Sequence, residues 1–290
     1  MELHKIYNPI TATPFKSTKD YMEFEPCDLL KPYIRCFWGT KQAIQQEAKN
    51  DCTMGIVTPD TCMDITYTVD FTNNKISNCF CGIDDRTFIN SKFHKESSII
   101  FLFGIRFYAW GVPMFAEESM RDTKNAFFNV GYHFSRIKKA IEPILFEIND
   151  MYQLIPKVEK MLLVNYNENH KNNNILQAIY HILQTKGKIQ VSELRQELHF
   201  SERQLERLFG EYVGVTPKSM ASMVRYQYLW NDIVYNRQFD TLDAVCKYGY
   251  SDQAHLYHDF KKYHSLNIKE AKSYALKDVG NIQENSVIVL

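Results

Sequence analysis

Residues 189–209 read IQVSELRQELHFSERQLERLF, and residues 240–260 read DTLDAVCKYGYSDQAHLYHDF. Each stretch is a short helix with apolar periodicity, a tight turn, a serine, and a second helix that closes on phenylalanine. Aligned on Ser201 and Ser251, the copies share the starts Val191 and Thr241 and the aromatics Phe200 and Tyr250 before the serine. Leu205 falls opposite His255, and Phe209 and Phe260 are one position out of step. Two helix-turn-helix pairs, near 191–209 and 241–262, are expected, and a tandem of this kind points to two adjacent contacts with a DNA groove.

In the first pair, Ser201-Glu202-Arg203-Gln204 has the form of a capping box: the Ser oxygen bonds the amide three residues on, and Gln204 reaches back to the Ser amide. Leu205, Leu208 and Phe209 then pack inward, and Arg203, Gln204 and Arg207 point outward. Arg suits guanine O6/N7 and Gln suits adenine N6/N7, which is the chemistry of a major-groove helix. In the second pair, Gly249 suits the turn, Cys246 is a small residue expected to face the crossing helix, Ser251 is the expected cap, and Leu256 and Phe260 face the core. Gln253, His255 and His258 become the base-edge or phosphate contacts, with Lys261 and Lys262 at the backbone. His255 and His258 also stand at i, i+3 as a metal pair would, but no third ligand is evident, so no metal site is expected. Between the copies, Thr216-Pro217 reads as a helix start. Val224, Tyr228, Leu229 and Ile233 give that helix a buried face, making it a rigid spacer for two readers about one DNA turn, ~34 Å, apart.

Composition supplies limits rather than direction. The 290 residues allow about two domains. A hydrophobic share of 45% and an aromatic share of 14% exclude a disordered or fibrous chain. The net charge is zero, and residues 172–290 hold 14 basic against 13 acidic residues, so DNA binding would rest on local placement of charge rather than on a basic domain. Five histidines in that region (His181, His199, His255, His258, His264) add charge as pH falls. Seven scattered cysteines and an N-terminus, MELHKIYNPITATPF, without an apolar leader core fit a reducing cytoplasm. No run approaches the ~20 apolar residues of a membrane span, so no membrane partner is expected.

The fold class expected is α+β: a β-rich N-terminal domain with flanking helices, followed by an all-α double helix-turn-helix domain. Residues 1–130 carry short strand-like runs such as Met63–Val69 and Ser98–Phe107, separated by turn signals at Thr58-Pro59-Asp60, Asn73-Asn74 and Gly82–Asp85. Residues 131–168 change period. Phe134, Ile137, Ile141, Ile144, Leu145 and Ile148 form a helical stripe, either core or the seam of a homodimer, with Pro143 inside it; a second helix is expected over Lys157–Tyr166. Asn165–Asn174 is the linker, and 172–290 is the DNA-binding region, whose first helix stops at Lys186-Gly187.

On GVTPKSMASMVRYQYL and YGYSDQAHLYHDFKKY, the chain resembles the DNA-binding domain of the AraC family of bacterial transcription regulators over roughly residues 172–275. The resemblance implies seven helices, two reading helices in successive major-groove segments, and RNA polymerase as a protein partner. By position it favours Arg203, Gln204 and Arg207, then Gln253, His255 and His258. The chain departs from the family in two places. His199 replaces a turn glycine, and Ser265–Ala271 lacks the Gly, Pro and Tyr usual after the second pair, which reads as eroded support for the second reader. Glu202, Glu206 and Asp252 also bring negative charge near phosphates.

The N-terminal stretches Phe37-Trp38, Pro59–Ile65 and Gly104–Phe107 look similar to a cupin-like domain that precedes this module in some AraC-type regulators. On that resemblance Trp38, Asp64, Arg106, Tyr108 and Trp110 are candidates for an effector pocket. The plainer account makes Trp38 and Trp110 core residues and pairs Arg106 with a carboxylate. Cys79 and Cys81, with Cys62 and His94, offer a thiol or metal sensor, against the duller reading of two small residues on one strand face.

The function expected is that of a cytoplasmic, sequence-specific transcription regulator. It binds double-stranded DNA, with activation and repression both open, and is controlled by a small-molecule effector or partner at the first domain. No catalysis and no cofactor are expected. The alternatives are a thiol- or metal-responsive regulator and a DNA reader fused to a thiol-based enzyme.

Overall fold

The computed structural model describes residues 1–18, 21–47, 49–94 and 96–277, and of 49–54 and 90–94 the backbone alone. It is α+β, with an antiparallel sheet followed by helices. The strands are β1 (Met22–Phe24), β2 (Ile34–Gly39), β3 (Ile44–Gln46), β4 (Lys49–Val57), β5 (Cys62–Asp70), β6 (Lys75–Cys81), β7 (Phe88–His94), β8 (Ser98–Tyr108) and β9 (Phe127–Phe128). The main sheet runs β1-β2-β8-β5-β6-β9, with β3 also on β8, and β4 and β7 form a separate ribbon.

Strand period two decides what each face does. In β5, Met63, Ile65, Tyr67 and Val69 are buried, and Asp64, Thr66 and Thr68 are half-buried on the other face. β8 repeats this with Phe101, Phe103, Ile105 and Phe107 against Arg106. The apolar face is covered by α1 (Val130–His133), α2 (Ser135–Leu145) and α3 (Met151–Asn165). Phe134 of this helical layer packs edge-on against Phe80 at 4.9 Å and stacks on Phe107 at 6.2 Å. Phe134, Ile137, Ile141, Leu145 and Ile148 are all buried within the chain, so this stripe serves the core rather than an exposed seam. Pro143 lies in the last turn of α2. α3 begins at Met151 rather than Lys157, because Asp150 caps it by accepting from Tyr152 N (2.9 Å) and Gln153 N (3.2 Å). Pro156 inside the helix masked that start in the sequence.

The helical half comprises α4 (Asn173–Gln184), α5 (Val191–Leu198), α6 (Glu202–Tyr212), α7 (Pro217–Tyr235), α8 (Thr241–Tyr248), α9 (Gln253–His264) and α10 (Ile268–Leu276), seven helices among the described residues. Residues 278–290, part of the region expected to bind DNA, lie outside the described residues. Thr216 caps α7 by accepting from Ser219 N at 3.1 Å, with Pro217 at the first helical position.

α7 is buried on more than the one face expected: besides Val224, Leu229 and Ile233, it buries Met220, Met223, Tyr226, Gln227, Trp230 and Val234. The extra cover is the N-terminal segment. Ile10 N donates to Gln227 Oε1 (2.9 Å), and Gln227 Nε2 donates to Ile10 O (3.2 Å) and Pro59 O (2.6 Å). Tyr228 Oη donates to Ile6 O (2.8 Å), and the Trp230 indole N–H donates to Thr11 O (3.0 Å). A single apolar cluster therefore runs from Leu3 to Ala275.

Candidate nucleic-acid interface

Two helix pairs, α5–α6 and α8–α9, flank α7. At 19 residues α7 is about 28 Å long at ~1.5 Å per residue. In the first pair the chain leaves α5 through His199, which holds a left-handed φ of 55° where glycine is the easy choice. The expected capping box is present: Gln204 N donates to Ser201 Oγ (3.2 Å), and Ser201 N donates to Gln204 Oε1 (2.9 Å). Leu205 and Phe209 are buried, and Ser201, Arg203, Gln204 and Arg207 are exposed. The Gln204 carbonyl oxygen is committed to the cap, which leaves its NH2 group to face a base.

In the second pair the expected cap is displaced by one residue. Asp252, not Ser251, is the N-cap of α9: its carboxylate accepts from His255 N at 2.8 Å. A carboxylate at a helix N-terminus gains from the dipole as well as from the hydrogen bond, so it outcompetes the neighbouring hydroxyl. Ser251 Oγ instead reaches Asp252 Oδ2 (3.2 Å) and His255 Nδ1 (3.1 Å). The turn is 249–252 here against 199–201 in the first pair. This removes the slip noted in the sequence. Ser201 corresponds to Asp252, Leu205 to Leu256 rather than His255, Arg207 to His258, and Phe209 to Phe260. By the same register Gln204 corresponds to His255, and Arg203 to Ala254.

His255, His258, Lys261, Lys262 and Ser251 are exposed, and Gln253 is half-buried. Cys246 is exposed, and Ala244 takes the inward position expected for it, because the inward stripe of α8 runs through Ala244 and Tyr248. The support behind α9 is intact where erosion was expected. Ser265 takes the left-handed C-cap at φ 64°, and Asn267 with Glu270 forms a capping box for α10. His264 is sealed inside α9, with Nδ1 at 2.8 Å from Tyr226 Oη and its ring stacked on Phe260 at 5.0 Å. Burial lowers its pKa to about 4, so it is neutral at ordinary pH.

The sheet half touches both readers at their C-terminal ends. Met120 N donates to Glu211 O (2.8 Å), and Arg121 Nη2 pairs with Glu211 Oε1 at 3.3 Å; the same oxygen lies 3.4 Å from Arg207 Nη1. Thr87 Oγ1 donates to Tyr263 O at 2.6 Å. Glu211, Arg121 and Gln227 were missed in the sequence. A glutamine amid the apolar run of α7 was the available signal for the last; a long-range ion pair leaves none.

The effector candidates divide into two groups. Trp38, Asp64 and Arg106 meet on the half-buried sheet face: Trp38 Nε1 donates to Asp64 Oδ1 (2.7 Å), and Arg106 Nε to the same carboxylate (3.1 Å). Arg106 Nη1 also lies 3.6 Å from Asp60 Oδ2. Burial opposes the Arg106 charge, but Asp64 and Asp60 more than offset it, and its pKa is raised. Burial raises the Asp60 pKa, with Arg106 opposing. Gly104 makes room for the indole, since a Cβ there would stand 2.3 Å from Trp38 Cε2. Tyr108 and Trp110 lie past this cluster, stacked on each other at 4.5 Å and both buried, with the Trp110 indole donating to Pro32 O at 2.9 Å. Among the described residues no three metal-ligating side chains converge, and the His94 side chain lies outside them. Cys62 is buried, whereas Cys79 and Cys81 are half-buried.

Residues 194–273 match the Helix-turn-helix domain family, and residues 22–129 match a Domain of unknown function (DUF6597). A protein with this C-terminal half is a DNA-binding transcription regulator. Its helix-turn-helix domain is of the AraC type. Among solved structures, the chain is similar to a probable AraC family transcriptional regulator from Rhodopseudomonas palustris CGA009, at 21% identity, covering 36% of this chain and 98% of that one with a TM-score of 0.32. It is also similar to ToxT from Vibrio cholerae O395, at 12% identity, covering 81% of this chain and 96% of that one with a TM-score of 0.40. Unsaturated fatty acid bound ToxT from Vibrio cholerae strain SCE256 matches at 10% identity, covering 89% and 97%, with a TM-score of 0.40. No curated protein matches the chain. Among the described residues no helix is long and apolar enough to cross a membrane.

Proposed function

We propose that the chain reads a bipartite DNA site with the exposed N-terminal turns of α6 and α9. The first reader uses Arg203, Gln204 and Arg207, with Ser201 at the phosphate. The second uses His255, His258 and Gln253, with Ser251, Lys261 and Lys262 on the backbone. The observation that carries this is the pair of capped helices, before and after α7 in the chain, whose outward residues are exposed at both N-terminal ends. The readers are unequal: the first presents two arginines, the second two histidines.

Control is proposed to run through the contacts at the readers' far ends. Glu211 is shared by Arg121 of the sheet half and Arg207 of the first reader, so a ligand or partner that moves the 120–123 loop changes how firmly Glu211 holds Arg207. The cluster Trp38, Asp64 and Arg106 is the proposed effector site, for a small polar molecule that competes for the indole and guanidinium donors. Selection of bound DNA from a random pool tests the first proposal. Two conserved half-sites about 10 bp apart are expected, and a single half-site would overturn the two-reader reading. Glu211→Gln, which weakens the hold on Arg207, is expected to tighten binding to the selected site several-fold; an unchanged affinity would overturn the coupling.

A further inference from the structure

β6 places Cys79 and Cys81 on one face, two residues apart, with their sulfurs 3.8 Å from each other and the Cys81 thiol directed at Cys79. Unlike Cys36 and Cys62, which are sealed in the core, both are half-buried and open to a small reagent. Their cross-strand partners are Thr66 for Cys79 and Asp64 for Cys81, so the pair adjoins the Trp38–Asp64–Arg106 cluster. We propose that Cys79 and Cys81 form a dithiol site for a thiophilic centre that needs two sulfur donors, of the class of monosubstituted trivalent arsenicals.

Geometry separates this from a simple disulfide. Residues i and i+2 of a strand have Cα atoms about 6.6 Å apart, at the far edge of the disulfide range, whose mode is ~5.5–6 Å. A trivalent arsenic is pyramidal, so with bonds of ~2.3 Å it holds its two sulfurs roughly 3.4 Å apart, a few tenths of an ångström inside the 3.8 Å found here and within reach of a small side-chain rotation. Zinc would require further protein donors, and among the described residues no third one converges. An arsenical R–As needs two. Chemical readiness agrees: the hydrogen bond from Cys81 lowers the Cys79 thiol to about 7, which gives it thiolate character near neutral pH, and the same bond raises Cys81. In the reaction R–As=O + 2 RSH → R–As(SR)2 + H2O, two S–H bonds break and two As–S bonds form. The oxygen leaves as water, and neither arsenic nor sulfur changes oxidation state.

The test treats the reduced full chain with one equivalent of phenylarsine oxide. One adduct per chain with loss of two titratable thiols is expected, and peptide mapping should place both on the segment bearing Cys79 and Cys81. Cys79→Ser and Cys81→Ser should each lower retention against a monothiol wash at least ~10-fold, because the second bond is then no longer intramolecular. An unmodified chain, an adduct mapped to other cysteines, or full retention by the double serine variant would overturn the proposal. Mapping on the unaltered chain keeps the test decisive if a variant fails to fold.

Discussion

The two helix pairs began from one pattern and solved the same structural problems with different residues. The first leaves α5 through a histidine in the left-handed region; the second leaves α8 through Gly249 at φ 69°. The first is capped by a serine–glutamine box, the second by the carboxylate of Asp252 after a turn one residue longer. The first supports its reader with Leu205 and Phe209, whereas the second adds a buried histidine, His264, wedged between Phe260 and Trp230. Caps, turns and cores are thus interchangeable in kind. The outward residues are not, since the planar guanidinium of arginine makes bidentate base contacts and an imidazole ring does not. Divergence is tolerated in the scaffold, and the readers differ in what they present to DNA.

The largest test concerns the shifted register. Leu256→Ala should cost about 2–5 kcal/mol in urea unfolding, as Leu205→Ala should, because both create cavities in a closed core. His255→Ala, the residue first aligned with Leu205, should cost under ~1 kcal/mol, since it is exposed. Equal losses at His255 and Leu256 would break the correspondence.

A second test separates the pairs by pH. His264 has a lowered pKa when folded, so the unfolded chain binds more protons as the pH falls below 6.5. Its contribution is full above that value and is lost progressively towards about 4. Stability should fall by about 3 kcal/mol over this window from His264 alone. His264→Phe should flatten that step in denaturant titrations, and a step left unchanged would place the acid sensitivity elsewhere.

Arg207→Ala should weaken binding to a selected site by about 1–3 kcal/mol and relax preference at one base. His258→Ala, its counterpart, should cost less than ~1 kcal/mol, because an imidazole offers a base edge one ring nitrogen rather than the forked pair of donors of a guanidinium. A larger loss at His258 in parallel gel-shift titrations would reverse the ranking of the two readers. The smallest effect lies in the turns: His199→Gly should stabilise by about 0.5–1 kcal/mol by relieving a left-handed φ, net of the added chain entropy. Gly249→Ala should destabilise by ~1 kcal/mol.

Much of this was legible in the sequence because it depends on local chemistry. The Ser201 box, the Thr216-Pro217 start and the strands around Met63–Val69 and Ser98–Phe107 follow from cap preferences and period two, and a few neighbouring residues suffice to set them. The cap of α9 was misread because Ser251 and Asp252 are both good caps one residue apart. Their competition is decided by which oxygen the turn brings to His255 N. The start of α3 was hidden by Pro156, whose restriction reads as a break although the helix continues through it.

By itself the sequence determined the α+β class, the two helix pairs, the spacer helix and most of the outward residues, since periodicity and capping are properties of adjacent residues. Only the tertiary structure decided that the N-terminal segment wraps α7, that Arg121 and Arg207 share Glu211, that Arg106 sits between two carboxylates, and that the stripe at 134–148 is core. Each of those joins residues far apart in the chain. Its energy comes from burial and charge pairing that exist once the sheet and the helical half have closed on one another.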